Sequence, residues 1–166
     1  MKRIAGVVAF LCWLLIGVSQ AAQSPAAHQE TRPASQPYSG MYSFLKDGEF
    51  VQLTIEDAGH VTGFISRYGD GESDKGAFLD QFFKSGKLEG NNLVFTTEIV
   101  HGASYDFKGS VERGTGKSPG DEAYYVLKGT LTENITDVNK KVTSRTRDVL
   151  FKSFPQDAAP AAANRK

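Results

Sequence analysis

The chain has 166 residues, enough for one hydrophobic core of ordinary size. Its 19 Lys and Arg balance 19 Asp and Glu, so it raises no broad basic field of the kind that displaces counterions from phosphates, and nucleic acid is excluded as a partner. The 17 Gly and 11 Phe suit strands joined by tight turns, because Gly supplies positive φ and aromatic rings pack well on pleated surfaces.

The chain opens with the three parts of a secretory signal: Lys2 and Arg3, an apolar stretch from Ile4 to Val18, and the small residues Ser19 and Ala21 ahead of Ala22. About 15 apolar residues fall short of the roughly 20 that span a bilayer, so cleavage is expected rather than anchoring, with no stable membrane span afterwards. Residues 1–21 are therefore predicted to be a signal peptide that delivers the protein to the periplasm or the medium. Its removal leaves 17 basic against 19 acidic side chains. Cys12 and Trp13, the only Cys and Trp, both fall in this segment. The mature chain has no disulfide to form, and Ala9, Phe10 and Leu11 do not make a lipidation box ahead of Cys12.

Residues 22–37 are rich in Ala, Ser, Gln and Pro without hydrophobic period, and residues 156–166 read QDAAPAAANRK. Neither buries enough apolar surface to offset ordering, so they are predicted to be a linker and a disordered tail around a domain at 38–155.

Within that domain, apolar runs alternate with turn signals at roughly the 8–12-residue spacing of a barrel or sandwich. Met41 to Leu45 and Phe50 to Glu56 are joined across Lys46-Asp47-Gly48-Glu49, and Asp-Gly is a strong hairpin dipeptide. Asp57-Ala58-Gly59-His60 turns the chain into Val61 to Arg67. Strands are then expected near Lys87 to Leu88, at Leu93 to Val100 and at Ala103 to Arg113. In the last of these, Tyr105, Phe107, Gly109 and Val111 alternate with Asp106, Lys108, Ser110 and Glu112. Tyr124 to Asn134 and Val142 to Phe154 bring the total to about eight, with connections short enough for antiparallel neighbours. Glycines recur inside these runs at Gly63, Gly109 and Gly129, marking places where a sheet bends toward closure. The segment Ala77 to Lys84 breaks the rhythm: Phe78 and Phe82 stand four apart, as do Leu79 and Phe83, which predicts one short helix near 76–85 that plugs one barrel end. The fold class expected is all-β, a single antiparallel meander β-barrel.

Gly40-Met41-Tyr42, the alternating strand after it, and Asp57-Ala58-Gly59-His60-Val61-Thr62-Gly63-Phe64 resemble the opening of eight-stranded meander barrels of the avidin and lipocalin type. Asp148-Val149-Leu150-Phe151-Lys152 is similar in style to their last strand. Those families open on a Gly-x-Trp whose indole closes the barrel base, and here Tyr42 takes the Trp position. The resemblance implies topology and a ligand-binding barrel. Avidin-type biotin pockets rely on several tryptophans, so it does not imply biotin.

Aromatics make the leading candidate site. Tyr42, Phe44, Phe64, Tyr68, Tyr105, Phe107, Tyr124 and Tyr125 come from several strands, and those that face inward would line a small apolar cavity or fill a core. The expected ligand is small and apolar or aromatic, bound without catalysis. An enzyme would instead need two or more titratable side chains converging inside, and a solid barrel acting through its surface would show a filled interior and an apolar patch outside. Asp70, Glu72 and Asp74 stand at alternate positions of a Gly-rich loop, a pattern in which oxygens can converge on calcium, with Asp80 as a further donor. An EF-hand is excluded, because the twelfth position from Asp70 is Gln81.

The remaining polar residues nominate no reaction. His60 and His101 read as turn residues and His28 lies in the linker, so no zinc spacing exists. There is no Gly-x-Ser-x-Gly elbow, and Glu98, Asp106 and Glu112 are expected to face solvent. Lys140, Lys141, Arg145 and Arg147 read as a solvated strand edge. Asn134-Ile135-Thr136 is a glycosylation sequon.

Overall fold

The computed structural model describes residues 37–156. Its strands are β1 (Gly40–Ser43), β2 (Phe50–Ile55), β3 (Val61–Tyr68), β4 (Phe78–Glu89), β5 (Asn92–Thr97), β6 (Ala103–Arg113), β7 (Tyr125–Thr136) and β8 (Val142–Lys152). They form one sheet in chain order, each strand antiparallel to the next. The sheet curls until its edges meet: Tyr42 bridges Ser153, and the amide of Phe154 donates to the carbonyl of Met41 at 2.9 Å. The expected meander barrel is therefore present. No described helix is long and apolar enough to cross a membrane. The expected leader, most of the linker and the end of the tail lie outside the described residues.

The hairpin over Lys46-Asp47-Gly48-Glu49 forms as its Asp-Gly signal implies, with Gly48 at φ 84° and the amide of Glu49 donating to the carbonyl of Lys46. Gly109 and Gly129 stand opposite one another on β6 and β7. A Cβ on Gly129 would lie 2.5 Å from the Cα of Gly109, so this crossing of the sheet tolerates no side chain.

The helix expected near 76–85 is not formed. Those residues enter β4, where Tyr68 pairs with Phe78 and Phe64 with Phe82. A spacing of four satisfies a strand as well as a helix, since four is a multiple of two. Tertiary pairing on both sides of β4 decides the matter. Among the described residues the one helical stretch is a 3-10 turn over Asp57–Gly59. A register shift between Phe83 and Ser85 inverts the alternation of β4, so Gln81 and Phe83 face inward before it and Leu88 after it.

The interior is filled. Phe83 stacks on Phe95 at 4.3 Å between ring centroids, Phe95 on Phe107 at 5.2 Å, Phe107 meets Phe151 at 6.1 Å, and Phe44 touches both Phe151 and Tyr105. Aliphatic side chains such as Val51, Leu53, Ile65 and Leu127 close the gaps around this chain of rings. Six rings bring both burial and edge-to-face or offset contacts, each pair worth about 0.5–1.5 kcal/mol beyond its area.

Candidate functional site

The meander puts the connections 44–49, 69–77, 98–102 and 137–141 at one end of the barrel, termed the mouth below. Inward positions of the strands change character there. On β3 the inward row is Val61, Ile65 and then Arg67; on β4 it reaches Gln81; on β5, Thr97; on β7, Leu127 and Leu131 lead to Glu133; on β8, Phe151 and Val149 lead to Arg147.

These side chains bond to one another. The Nε of Arg67 donates to the Oε1 of Gln81 at 2.5 Å, and the Nε2 of Gln81 donates to the carbonyls of Ala103 (2.8 Å) and Glu98 (3.2 Å). Arg67 is 4% exposed and Gln81 fully buried. A second group lies beside the first. The hydroxyl of Tyr105 donates to Oε1 of Glu133 at 3.0 Å, and Arg147 donates to Oε2 of the same carboxylate at 3.1 Å. The Arg67 guanidinium sits 5.8 Å from the centre of the Tyr105 ring, within cation–π range. Burial pushes the Tyr105 hydroxyl well above its ordinary range; Arg67 pulls the other way and the Glu133 charge adds to the rise. Tyr105 is therefore a fixed donor at neutral pH.

Around this floor, the mouth loops carry further charge. Asp70 accepts from Lys46 at 2.9 Å and from Arg67 at 3.3 Å, and Asp74 bonds the imidazole of His101, joining the 69–77 and 98–102 loops. Glu49 is buried at the first turn, where its carboxylate accepts the backbone amides of Lys46 and Tyr68. Asp70, Glu72 and Asp74 do not converge: Asp70 is bonded by Lys46 and Arg67, Asp74 by His101, and Glu72 is exposed. Asp80 pairs with Ser66 on β3 and also stands apart. Among the described residues no group of three metal-ligating side chains is placed to hold an ion.

The eight aromatic candidates separate into three places. Tyr42, Phe44, Tyr105 and Phe107 are core, packed on other side chains. Phe64 and Tyr68 belong to the outer face of β3, against Phe82 and Phe78. Tyr124 and Tyr125 lie at the end opposite the mouth, packed edge to face on each other, with the Arg113 guanidinium 3.3 Å from the Tyr124 ring centre. They do not line one cavity. An open groove of about 800 Å³ lies on the outer wall, lined by Ser85, Val94, Thr96, Lys108, Thr130 and Thr132 among others. Its hydroxyls and charges are spread along four strands, whereas the polar groups of the mouth form two hydrogen-bonded groups side by side.

No protein-family description matches the chain, and no curated protein matches its sequence. Two solved structures of rhizavidin align with it, one of them the complex with biotin. The first is 9% identical over 74% of this chain and 87% of rhizavidin, with a TM-score of 0.52. The biotin complex is 10% identical over 74% and 97%, also at 0.52. Apo short afifavidin aligns at 15% identity over 69% of this chain and 94% of its own, at 0.49. The fold is avidin-like. At such low identity the likeness concerns the path of the backbone alone, and the avidin-like barrel here carries its own interior of phenylalanines and tyrosines.

Arg67, Gln81, Thr97 and Glu133 were not candidates from sequence. The signal was nevertheless there: each sits on the inward parity of a strand whose neighbours two residues away are apolar, and a charge on that parity near a strand end marks a polar cap on the core. Arg147, expected on a solvated edge, instead reaches Glu133. Asn134 of the sequon is occupied, donating to Asp106 at 2.7 Å and accepting from Ser144 at 2.6 Å.

Proposed function

We propose that this protein is an exported, non-catalytic barrel that binds a small molecule at its mouth, over the floor built by Arg67, Gln81, Tyr105, Glu133 and Arg147. The observation that carries the reading is the convergence of two arginines, a glutamate, an amide and a tyrosine hydroxyl on the inward ends of five strands. A few converging polar groups set in an apolar wall are the usual anatomy of a small-molecule site. Rhizavidin, which shares the backbone path, has been solved with biotin bound, and this supports a small molecule as the ligand class.

The chemistry of the floor points to a compact ligand with both an accepting and a donating edge. Arg147 retains donors beyond the one given to Glu133, and Glu133 retains acceptor positions beyond its two partners. The interior below is packed with rings, so the ligand sits on the floor and does not thread the barrel axis. Burial holds Tyr105 protonated, so its hydroxyl serves as a donor that orients the site. Export is supported by Lys2, Arg3 and the apolar stretch after them.

Native mass spectrometry of protein purified gently from its own host tests the reading. A retained small molecule in the wild type that is lost in Arg147→Ala and in Glu133→Gln supports it. A bare mass, together with no thermal shift from any small amide or carboxylate probe, removes it. Export is checked by the N-terminus of the mature protein, expected at Ala22.

A further inference from the structure

The outer wall of β2, β3 and β4 carries side chains that barrel closure does not use. Phe50 on β2, Phe64 on β3 and Phe82 on β4 form a ladder across the sheet, with ring centroids 5.8 Å and 5.5 Å apart, and Tyr68 and Phe78 form a second rung at 4.5 Å. Phe82 is 60% exposed and Phe78 51%. Isolated exposed apolar side chains need no explanation, but five rings gathered on three adjacent strands make a contiguous patch, which on a folded domain marks an interaction surface.

The charges flanking the patch tell what covers it. Asp80 stands two residues before Phe82 and Lys84 two residues after, both are exposed, and among the described residues neither is in an ion pair. Negative, ring, positive along one strand is self-complementary. When the same strand is laid antiparallel over it about a two-fold axis at the level of Phe82, each Asp80 meets the partner's Lys84 and ring packs on ring. A C2 interface requires this reciprocity, the same patch facing itself. An anionic lipid surface would be met by one lysine and opposed by an aspartate, and a phosphate backbone likewise. Behind the patch, β2 pairs with β1 and β3, and β4 pairs with β3 along Phe78–Phe82 and with β5 from Phe83 on, so the rings stand on the face of a sheet and the contact is made by side chains.

We propose that the protein is a homodimer whose seam is this aromatic face, with Phe50, Phe64 and Phe82 at its centre and Asp80 and Lys84 paired reciprocally at its rim. The surface lies on the outer side wall, its Tyr68–Phe78 rung bordering the 69–77 connection at the mouth end. The inference rests on the ladder and the charge order alone and does not need the mouth to bind anything.

Sedimentation velocity on the full chain, with circular dichroism to confirm that each variant folds, tests it. The expected result is a dimer for the wild type and a monomer for Phe82→Glu, whose carboxylates would face each other in the seam. Asp80→Lys alone and Lys84→Asp alone each bring like charges together and weaken the dimer by about tenfold or more. The combined Asp80→Lys/Lys84→Asp variant restores the pairing with reversed sign and recovers most of that affinity. A wild type that stays monomeric at its highest soluble concentration overturns the proposal, whether or not it then binds vesicles or another protein. So does a dimer that survives Phe82→Glu unchanged, or a charge reversal that fails to recover what the single changes lose.

Discussion

Arg67 and Gln81 bond side chain to side chain inside the wall of the barrel, and the same glutamine amide fixes the carbonyls of Ala103 and Glu98. A buried guanidinium is tolerated only where its donors are matched, and the glutamine oxygen, the Tyr68 carbonyl and Asp70 supply that match here. Removing Gln81 leaves Arg67 and two carbonyls short of partners in a desolvated place. Gln81→Leu should therefore lower unfolding stability by about 1–3 kcal/mol, the range for leaving a buried polar partner unsatisfied. Replacing both, as Arg67→Met/Gln81→Leu, removes the unmatched charge along with its partner and should recover that part of the loss, while the carbonyls of Ala103 and Glu98 stay without their donor. Urea unfolding of the three proteins decides it: a double variant no more stable than Gln81→Leu would show that the charge is not what the glutamine satisfies.

The filled interior makes its own prediction. Phe107 touches Phe95 and Phe151 at the centre of the ring chain, and truncating it opens a void that the closed barrel cannot collapse around. Phe107→Ala should cost about 3–5 kcal/mol. Val138, 98% exposed at the tip of the β7–β8 turn, should change stability by about 0.5 kcal/mol or less when replaced by Ala. A Phe107→Ala protein as stable as the Val138→Ala control would mean that the interior is hollow at this level.

Strand alternation made most of this fold legible. Tyr105, Phe107 and Val111 face inward as their period of two requires, and Asp47-Gly48 makes the expected hairpin. The reading fails at 77–84, and the physical reason is specific. On β4 the inward row carries a glutamine and the outward row carries Phe78 and Phe82, so the polar side chain is buried and the apolar ones are exposed. The inversion hides the strand period and leaves the four-residue spacing of Phe78 and Phe82, which suits a helix equally well. Both departures have causes that pattern does not encode: Gln81 is inside because Arg67 needs it, and the phenylalanines are outside as part of the aromatic face. The mouth was hidden for a related reason. Its members come from β3, β4, β6, β7 and β8, and Glu133 and Arg147 meet only through the β7–β8 register, in which Leu131 stands opposite Arg147.

On the acid side, the Asp74–His101 contact is the group to watch. The hydrogen bond from His101 holds the Asp74 carboxyl below the ordinary carboxylate range; burial opposes it and the Ser73 hydroxyl assists. A carboxyl depressed in the folded state stabilises fully above its ordinary value of about 3.9 and loses that contribution as pH falls through the lower folded value. Acidification below about pH 4 should thus release the tie between the 69–77 and 98–102 loops, seen as faster amide exchange there while β6 and β7 remain protected. Carboxyl NMR gives the direct check: in His101→Ala, Asp74 should titrate nearer the ordinary value. An unchanged midpoint would show that His101 does not set it.

On the alkaline side the sign is opposite in origin but also destabilising. Burial raises the hydroxyls of Tyr42 and Tyr105 well above the ordinary tyrosine value of about 10, with neighbouring Tyr125 adding to the first. Their neutral forms are favoured in the folded protein, so stability holds up to about pH 10 and then declines as the unfolded chain ionises these two rings freely. Tyr42 donates to the carbonyl of Tyr38 at 2.8 Å and Tyr105 to Glu133, so neither ring ionises without giving up a bond. Spectrophotometric titration should show two of the six tyrosines appearing as phenolate only together with unfolding. Tyr42→Phe/Tyr105→Phe should be less stable at neutral pH, because a carbonyl and a carboxylate each lose a donor, yet decline less steeply above pH 10. A double variant with the same alkaline slope as the wild type would place the proton release elsewhere in the chain.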